Sequence, residues 1–367
     1  MNRRQLIKQA GFATAAFAMS RDLFAANTSV FTQSTFIDEW IYLGSNENPH
    51  GPSKAAREAM SKALLSTNRY QWKESAKLIS ALAQPHRLTD KNILLGAGSS
   101  ELLGLTTLFA SFKKGNIIAP DPTFRLWTTA AQHMGLQIKW IPLTEEKDTD
   151  LTAMHSAIDS DTSMVYLCNP NNPTGIPIPD QELRDFIKAV PSHVIVLMDE
   201  AYTEFEDIPS TVPLIDEFPN LVIAKTFSKI YGLAGARIGY LLGNEKIIES
   251  LGNLQPWQNA GPSAVSVAAA LASLQDQDFV TYCKTENAKN RAIYHQGLAD
   301  LGLRHTPSTT SFSYFDTANY PGNFVATLEQ NKIMGARSFE ENSTWMRLSI
   351  GTTEEMKQVV SALKAGS

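Results

Sequence analysis

The chain has 367 residues, 43% of them hydrophobic and 19% charged, with a formal net charge of -5. That length allows two or three domain-sized units, and the acidic balance lacks the basic patch or stripe of a nucleic-acid binder. Two cysteines, Cys168 and Cys283, are too few for a disulfide scaffold, and no Cys/His spacing suits a metal.

The first 26 residues differ from the rest. Arg3 and Arg4 precede a mildly apolar stretch from Ala10 to Met19 that is too short to span a bilayer. The pattern resembles a bacterial twin-arginine export signal cleaved after Ala25 or Ala26, which implies a periplasmic or exported mature protein. An amphipathic helix retained in a cytoplasmic protein is the alternative.

Residues 27–52 are expected to form an N-terminal arm that ends in the turn-dense Gly44-Ser45-Asn46-Glu47-Asn48-Pro49. A helix over 53–65 and an amphipathic helix over 74–83 follow, separated by Asn68-Arg69-Tyr70-Gln71-Trp72. From Asn92 the pattern alternates. Strands are expected at 93–95, 116–119, 136–141, 164–168, 194–198, 221–224 and 236–242, with helices reaching to about 112 and 134 and over 150–158. This is the signature of an α/β unit with a mostly parallel central sheet between helices, spanning 53–255. Beyond it, helices at 263–274 and 279–301, strands at 311–315, 335–339 and 345–350, and a last helix at 353–363 describe a smaller α+β domain over 256–367.

Polar residues gather where the strands end, the side of an open sheet on which ligands collect. The apolar run Val194 to Met198 reads as a strand buried on both faces, and the carboxylate of Asp199 directly after it needs a partner. Tyr202 lies three residues on. Asn172 follows the strand at 164–168, and Phe124 follows the one at 116–119. Ser99 and Ser100 open a helix whose free N–H groups make either an anion cradle or simply a cap. Thr226-Phe227-Ser228-Lys229 follows 221–224 and runs into a Gly/Ala-rich segment up to Arg237. Lys229 offers an amine for a Schiff base, with Thr226, Ser228 and Arg237 placed to surround a phosphate. Alone, this stretch also admits the plainer reading of a solvated loop with an ordinary surface lysine. Together, the strand-end residues supply what a planar, phosphorylated pyridine aldehyde requires: a carboxylate for its ring nitrogen, a phenol and an amide for its ring oxygen, and an aromatic face.

Several ordered motifs carry a resemblance over residues 38–362. They are Ser45-Asn46-Glu47-Asn48-Pro49, Asn68-Arg69-Tyr70, Asn169-Pro170-Asn171-Asn172-Pro173-Thr174-Gly175, Asp199-Glu200-Ala201-Tyr202, Thr226-Phe227-Ser228-Lys229, Gly232 to Arg237, and Met346-Arg347-Leu348-Ser349-Ile350-Gly351-Thr352. The chain resembles the class I/II pyridoxal-phosphate aminotransferases of fold type I, and most closely their histidinol-phosphate aminotransferase-like branch. The resemblance implies pyridoxal 5'-phosphate held as a Schiff base on Lys229, with Asp199 on the pyridine nitrogen, Tyr202 and Asn172 on the ring oxygen, and Phe124 stacked on the ring. It implies a phosphate held by Ser99, Ser100, Ser228 and Arg237, with Thr226 nearby and Tyr70 reaching in from the second subunit of a homodimer with composite sites. Arg347 is expected to grip a substrate carboxylate, and Asn48 to lie at the substrate. Arg337 either binds a second anionic group or pairs with Glu340 or Glu341.

The implied reaction transfers an amino group from an amino acid or related amine to a 2-oxo acid such as 2-oxoglutarate. A decarboxylase or lyase on the same scaffold, and a non-catalytic exported binding protein, are the alternatives. This chain departs from the family pattern at Gly98-Ser99-Ser100-Glu101, where Ala-Asp-Glu is common, and at Phe124, where tyrosine is common. Histidine biosynthesis is cytoplasmic, so an exported member is expected to act on another amino compound.

Overall fold

The computed structural model describes residues 39–367; the expected export signal and the first part of the arm lie outside the described residues. Seven strands form the main sheet: β1 Ile93–Gly96, β2 Asn116–Asp121, β3 Gln137–Pro142, β4 Thr162–Cys168, β5 Ile195–Asp199, β6 Leu221–Thr226 and β7 Gly239–Gly243. Their order is β1-β7-β6-β5-β4-β2-β3. All neighbours pair in parallel except where β7 meets β6 and β1. β7 therefore runs against the other six, and the mostly parallel sheet is a mixed one.

The strands are apolar on both faces because helices cover both. Side chains alternate along each strand: Val165, Leu167, Val196, Met198 and Ile223 enter one core, while Met164, Tyr166, Ile195, Leu197 and Val222 enter the other. Helices α1 Lys54–Ala63, α2 Trp72–Ala83, α3 Ser99–Ser111, α4 Thr128–His133, α5 Leu151–Ser156, α6 Asp180–Ala189, α7 Glu245–Gly252 and α8 Ala264–Gln275 flank this sheet. Ser53 starts α1, its hydroxyl accepting from the Ala56 N–H at 3.1 Å, as expected of a serine just before an apolar-periodic run. Val267, Ala269 and Ala270 of α8 join the first core, so the large layer draws on residues past 255.

β1 is an edge strand. Among the described residues no further strand covers it, and two side chains bond its backbone instead: the Leu95 N–H donates to Asn259 Oδ1 at 2.8 Å, and Gln255 Nε2 donates to the Leu95 carbonyl at 2.9 Å.

The smaller domain holds a three-stranded antiparallel sheet of β8 Phe312–Asp316, β9 Arg337–Ser338 and β10 Trp345–Ser349, in the order β9-β10-β8. The 24-residue helix α9 Gln277–Asp300, the short α10 Phe324–Gln330 and the final α11 Thr353–Ala365 pack with it. The arm is pinned here as well. The Leu43 N–H donates to the Met334 carbonyl at 2.7 Å, and the Leu43 carbonyl accepts from the Ser349 N–H at 2.8 Å. Residues Tyr42–Ser367 form one compact unit.

Candidate active site

A cavity of about 590 Å³ opens where the parallel strands end, closed on its other side by β9, β10 and the arm. The expected residues Ser99, Ser100, Phe124, Asn172, Asp199, Tyr202, Thr226, Ser228, Lys229, Arg237, Arg337 and Arg347 all line it. Two do not. Asn48 turns away, its amide donating to the Ile230 carbonyl at 2.7 Å and to Cys283 Sγ at 3.2 Å. That amide fixes the loop after Lys229, which corrects the expectation that Asn48 lies at the substrate. Tyr70 is 73% exposed on the outside, stacked on Trp72 beside Trp257.

Asp199 closes β5 in near-complete burial. Tyr166 donates its hydroxyl to Oδ2 at 3.1 Å, while Oδ1 is buried with no partner. Burial pushes the Asp199 carboxyl up to about 6, against the pull of Tyr166 and Lys229. Lys229 sits in the loop after β6 and donates from Nζ to the Ser45 carbonyl at 3.0 Å. Burial, reinforced by the Arg347 charge, lowers its amine to about 8.

Tyr202 is 3% exposed, and its oxygen accepts from Asn46 Nδ2 at 3.1 Å and from Asn172 Nδ2 at 3.4 Å. Burial pushes its phenol up, so it stays protonated. Arg347 donates from Nη1 to Asn172 Oδ1 and from Nη2 to the Gly44 carbonyl, both at 2.6 Å, and its Nε is buried with no partner. Burial lowers the Arg347 guanidinium to about 10. Its guanidinium packs 4.6 Å from the Phe339 ring centre and 5.4 Å from that of Phe312. Arg337 stands opposite Arg347 in the β9–β10 register, so both arginines leave the same face of the small sheet. Arg337 forms no ion pair among the described residues; Glu340 instead pairs with Lys147 at 3.3 Å and accepts from Tyr314 at 2.9 Å.

The opposite end of the cavity is built for an anion. Helix α3 begins at Gly98, which has φ 85° and no side chain to cap the first N–H groups. A Cβ at Gly98 would run into the Arg237 guanidinium, so glycine is what lets that arginine lie across the helix start. Arg237 itself adopts a left-handed φ of 55°. Thr226 Oγ1 accepts from the Ser228 N–H at 3.1 Å and donates to Ser228 Oγ at 2.8 Å. Thr226 thus spends its proton on shaping the loop, and the Ser228 proton is left for the cavity.

Two site residues escaped the sequence reading. Asn46 is 1% exposed with φ 54°, and Ser349 lies two residues beyond Arg347 on β10. The Asn46 N–H donates to Ser349 Oγ at 2.8 Å, and Ser349 returns its proton to Asn46 Oδ1 at 3.0 Å. Both stand inside quoted motifs, but their neighbours Asn48 and Arg347 carried the more evident chemistry.

An unpartnered buried carboxylate oxygen, an uncapped helix start with an arginine across it, and a lysine of lowered basicity fit one kind of guest. These features define an α/β protein that holds a phosphorylated pyridine aldehyde on a lysine. The chain matches the family model for aminotransferase class I and II over residues 38–363, and it belongs to that family. It is 34% identical over 332 residues to the histidinol-phosphate aminotransferase of Bacillus velezensis, covering 89% of this chain and 91% of that one. To the histidinol-phosphate aminotransferase of Bacillus subtilis strain 168 it is 35% identical over 331 residues, with coverage of 89% and 91%. The crystal structure of histidinol-phosphate aminotransferase from Sinorhizobium meliloti in complex with pyridoxal-5'-phosphate superposes with a TM-score of 0.82, at 28% identity, over 89% of this chain and 91% of that chain. The protein is a pyridoxal-phosphate-dependent aminotransferase of fold type I, in the histidinol-phosphate aminotransferase-like branch.

Proposed function

We propose that this enzyme takes the amino group of an amine resembling histidinol phosphate, carrying a distal anionic group, and delivers it to a 2-oxo acid such as 2-oxoglutarate. The pairing of Arg347 with Arg337 carries this reading: two guanidiniums on one face of the small sheet, one with an open buried Nε and the other, among the described residues, without a carboxylate partner.

Lys229 does the proton work. With its amine lowered to about 8, part of the population is uncharged near neutral pH, the form that attacks a carbonyl. With the donor in place, the same amine would be the base for the proton on the donor's α-carbon. When bound, pyridoxal phosphate supplies an electron sink for the charge left on that carbon. Asp199 Oδ1 would serve the ring nitrogen, Tyr202 and Asn172 the ring oxygen, and Phe124 the ring face. The α3 N-terminus with Ser99 and Ser100, together with Ser228 and Arg237, would hold the phosphate, and Thr226 shapes that loop. Arg347 presents a planar fork to a carboxylate, a geometry that lysine cannot reproduce.

Tyr70 faces outward from its own cavity, which supports a homodimer in which each Tyr70 completes the partner's phosphate site. The twin arginine in the first 26 residues supports export of the folded, cofactor-loaded protein; cell fractionation with and without Arg3 and Arg4 tests it. The reaction itself is tested by screening amine donors against 2-oxoglutarate and pyruvate. Oxo product should appear with phosphorylated amino alcohols or dianionic amino acids, and the Arg337→Ala variant should lose preference for the distal anion. Carbon dioxide or ammonia without amino transfer would instead indicate a decarboxylase or lyase.

A further inference from the structure

The two amides that meet Tyr202 are each oriented by a polar partner on the far side. Arg347 has only donors, so Asn172 must turn its oxygen toward Nη1 and its NH₂ toward the phenol. Ser349 Oγ accepts the Asn46 backbone N–H and gives its own proton to the Asn46 side-chain oxygen, so a single hydroxyl holds both ends of that residue. The Asn46 NH₂ is thereby also aimed at the phenol. Tyr202 oxygen has two lone pairs, and both receive an amide donor. Its single proton then has one place to go, outward into the cavity.

We infer that Asn46 and Ser349 are positioning residues that force Tyr202 to act as a hydrogen-bond donor toward whatever occupies the cavity. The inference rests on the cofactor reading above, and it adds a function for the arm. Gly44, Ser45 and Asn46 engage Arg347, Lys229 and Tyr202 in turn, so one short stretch fixes groups that come from three separate elements. Ser349 and Arg347 share β10, which ties the strand that meets the substrate to the phenol that meets the cofactor.

A donor aimed at the ring oxygen draws negative charge away from the neighbouring Lys229 nitrogen, which then holds its proton less tightly. The quantity to measure is the pH midpoint of the long-wavelength absorbance of protein loaded with pyridoxal phosphate. In Asn46→Asp the introduced carboxylate accepts the Tyr202 proton, and the midpoint should rise by about one pH unit, comparable to Tyr202→Phe. Ser349→Ala frees the Asn46 amide to turn and should give a smaller rise of the same sign. Asn46→Gly suits the left-handed backbone and should also raise the midpoint, with a circular dichroism melt close to wild type.

The deciding comparison is the double variant Asn46→Asp/Tyr202→Phe. If Asn46 acts through the phenol, the double variant shifts no further than Tyr202→Phe alone. An equal further shift in that background would mean the new charge acts directly on Lys229, and it would overturn the assignment. No shift in any Asn46 variant, with wild-type cofactor loading intact, would overturn it as well and leave the aminotransferase reading standing. Failure of wild-type protein to develop the absorbance would overturn both.

Discussion

Lys225 and Lys229 lie four residues apart and have opposite fates. Lys225 Nζ is buried between Glu200 at 3.3 Å and Glu204 at 3.0 Å and donates to Thr203 at 2.8 Å; those carboxylates outweigh burial and hold its proton tightly. No such pair protects Lys229, and its amine falls to about 8. The sequence separated the two only by the Ser-Lys context, since the glutamates that neutralise Lys225 follow another strand. Lys229→Ala should abolish the long-wavelength absorbance and cut amino transfer by about 10⁴-fold or more, whereas Lys225→Met should leave the absorbance in place and lower the melting temperature. For Asp199 the sign is set by a folded value near 6 against an ordinary 3.8. Between those values the folded chain binds more protons than the unfolded one, so this group lowers the stability of the cofactor-free protein as pH rises through that window. The carboxylate that a protonated ring nitrogen needs is present only above about 6. Pyridoxal phosphate affinity should therefore weaken as pH falls below that point, up to about tenfold per unit, and Asp199→Asn should flatten the dependence in an equilibrium dialysis series. Asn46 was harder to find than either. Its partner Ser349 is 303 positions away, and nothing in Ser45-Asn46-Glu47-Asn48 tells which amide turns inward.

Among the elements, the buried strands were legible because a wholly apolar run followed by polar turn residues has one economical solution, a parallel strand with its chemistry at the end. The antiparallel course of β7 was not, since Tyr240-Leu241-Leu242 is equally apolar read in either direction. The helix expected to reach residue 134 shrinks to six residues of α4, and Phe124 in the preceding loop lines the cavity. The strand expected at 335–339 keeps only Arg337–Ser338. Gly335 at φ 136° breaks it on one side, and on the other the Ser338 hydroxyl donates to the Glu340 carbonyl. The join between β1 and α3 carries the proposed phosphate cradle. Gly98→Ala adds both a left-handed strain and a clash with Arg237, so it should raise the dissociation constant for pyridoxal phosphate by about tenfold or more while the fold persists by circular dichroism.

For the whole molecule, two sheets and an arm meet at one cavity, and the sequence order of the strands carried that arrangement with little ambiguity. The role proposed for Tyr70 belongs to an assembly of two chains and not to one. If Tyr70 serves the opposite site, Tyr70→Phe and Lys229→Ala homodimers are each impaired at both sites. A mixed dimer, however, carries one site with both defects and one with neither. Subunit exchange between the two variants should restore activity, measured as oxo product per dimer, to a level neither parent reaches.

The pairing of Gln255 and Asn259 with Leu95 bears on solubility. An exposed strand edge is a template on which foreign strands can add, and here two amide side chains occupy its donor and acceptor as a neighbouring strand would. Replacing both by alanine should leave the cavity lining unchanged yet promote self-association on heating, seen as light scattering ahead of the unfolding transition. The strand that leads into the proposed phosphate cradle would then owe to Gln255 and Asn259 its protection from sticking to other copies of itself.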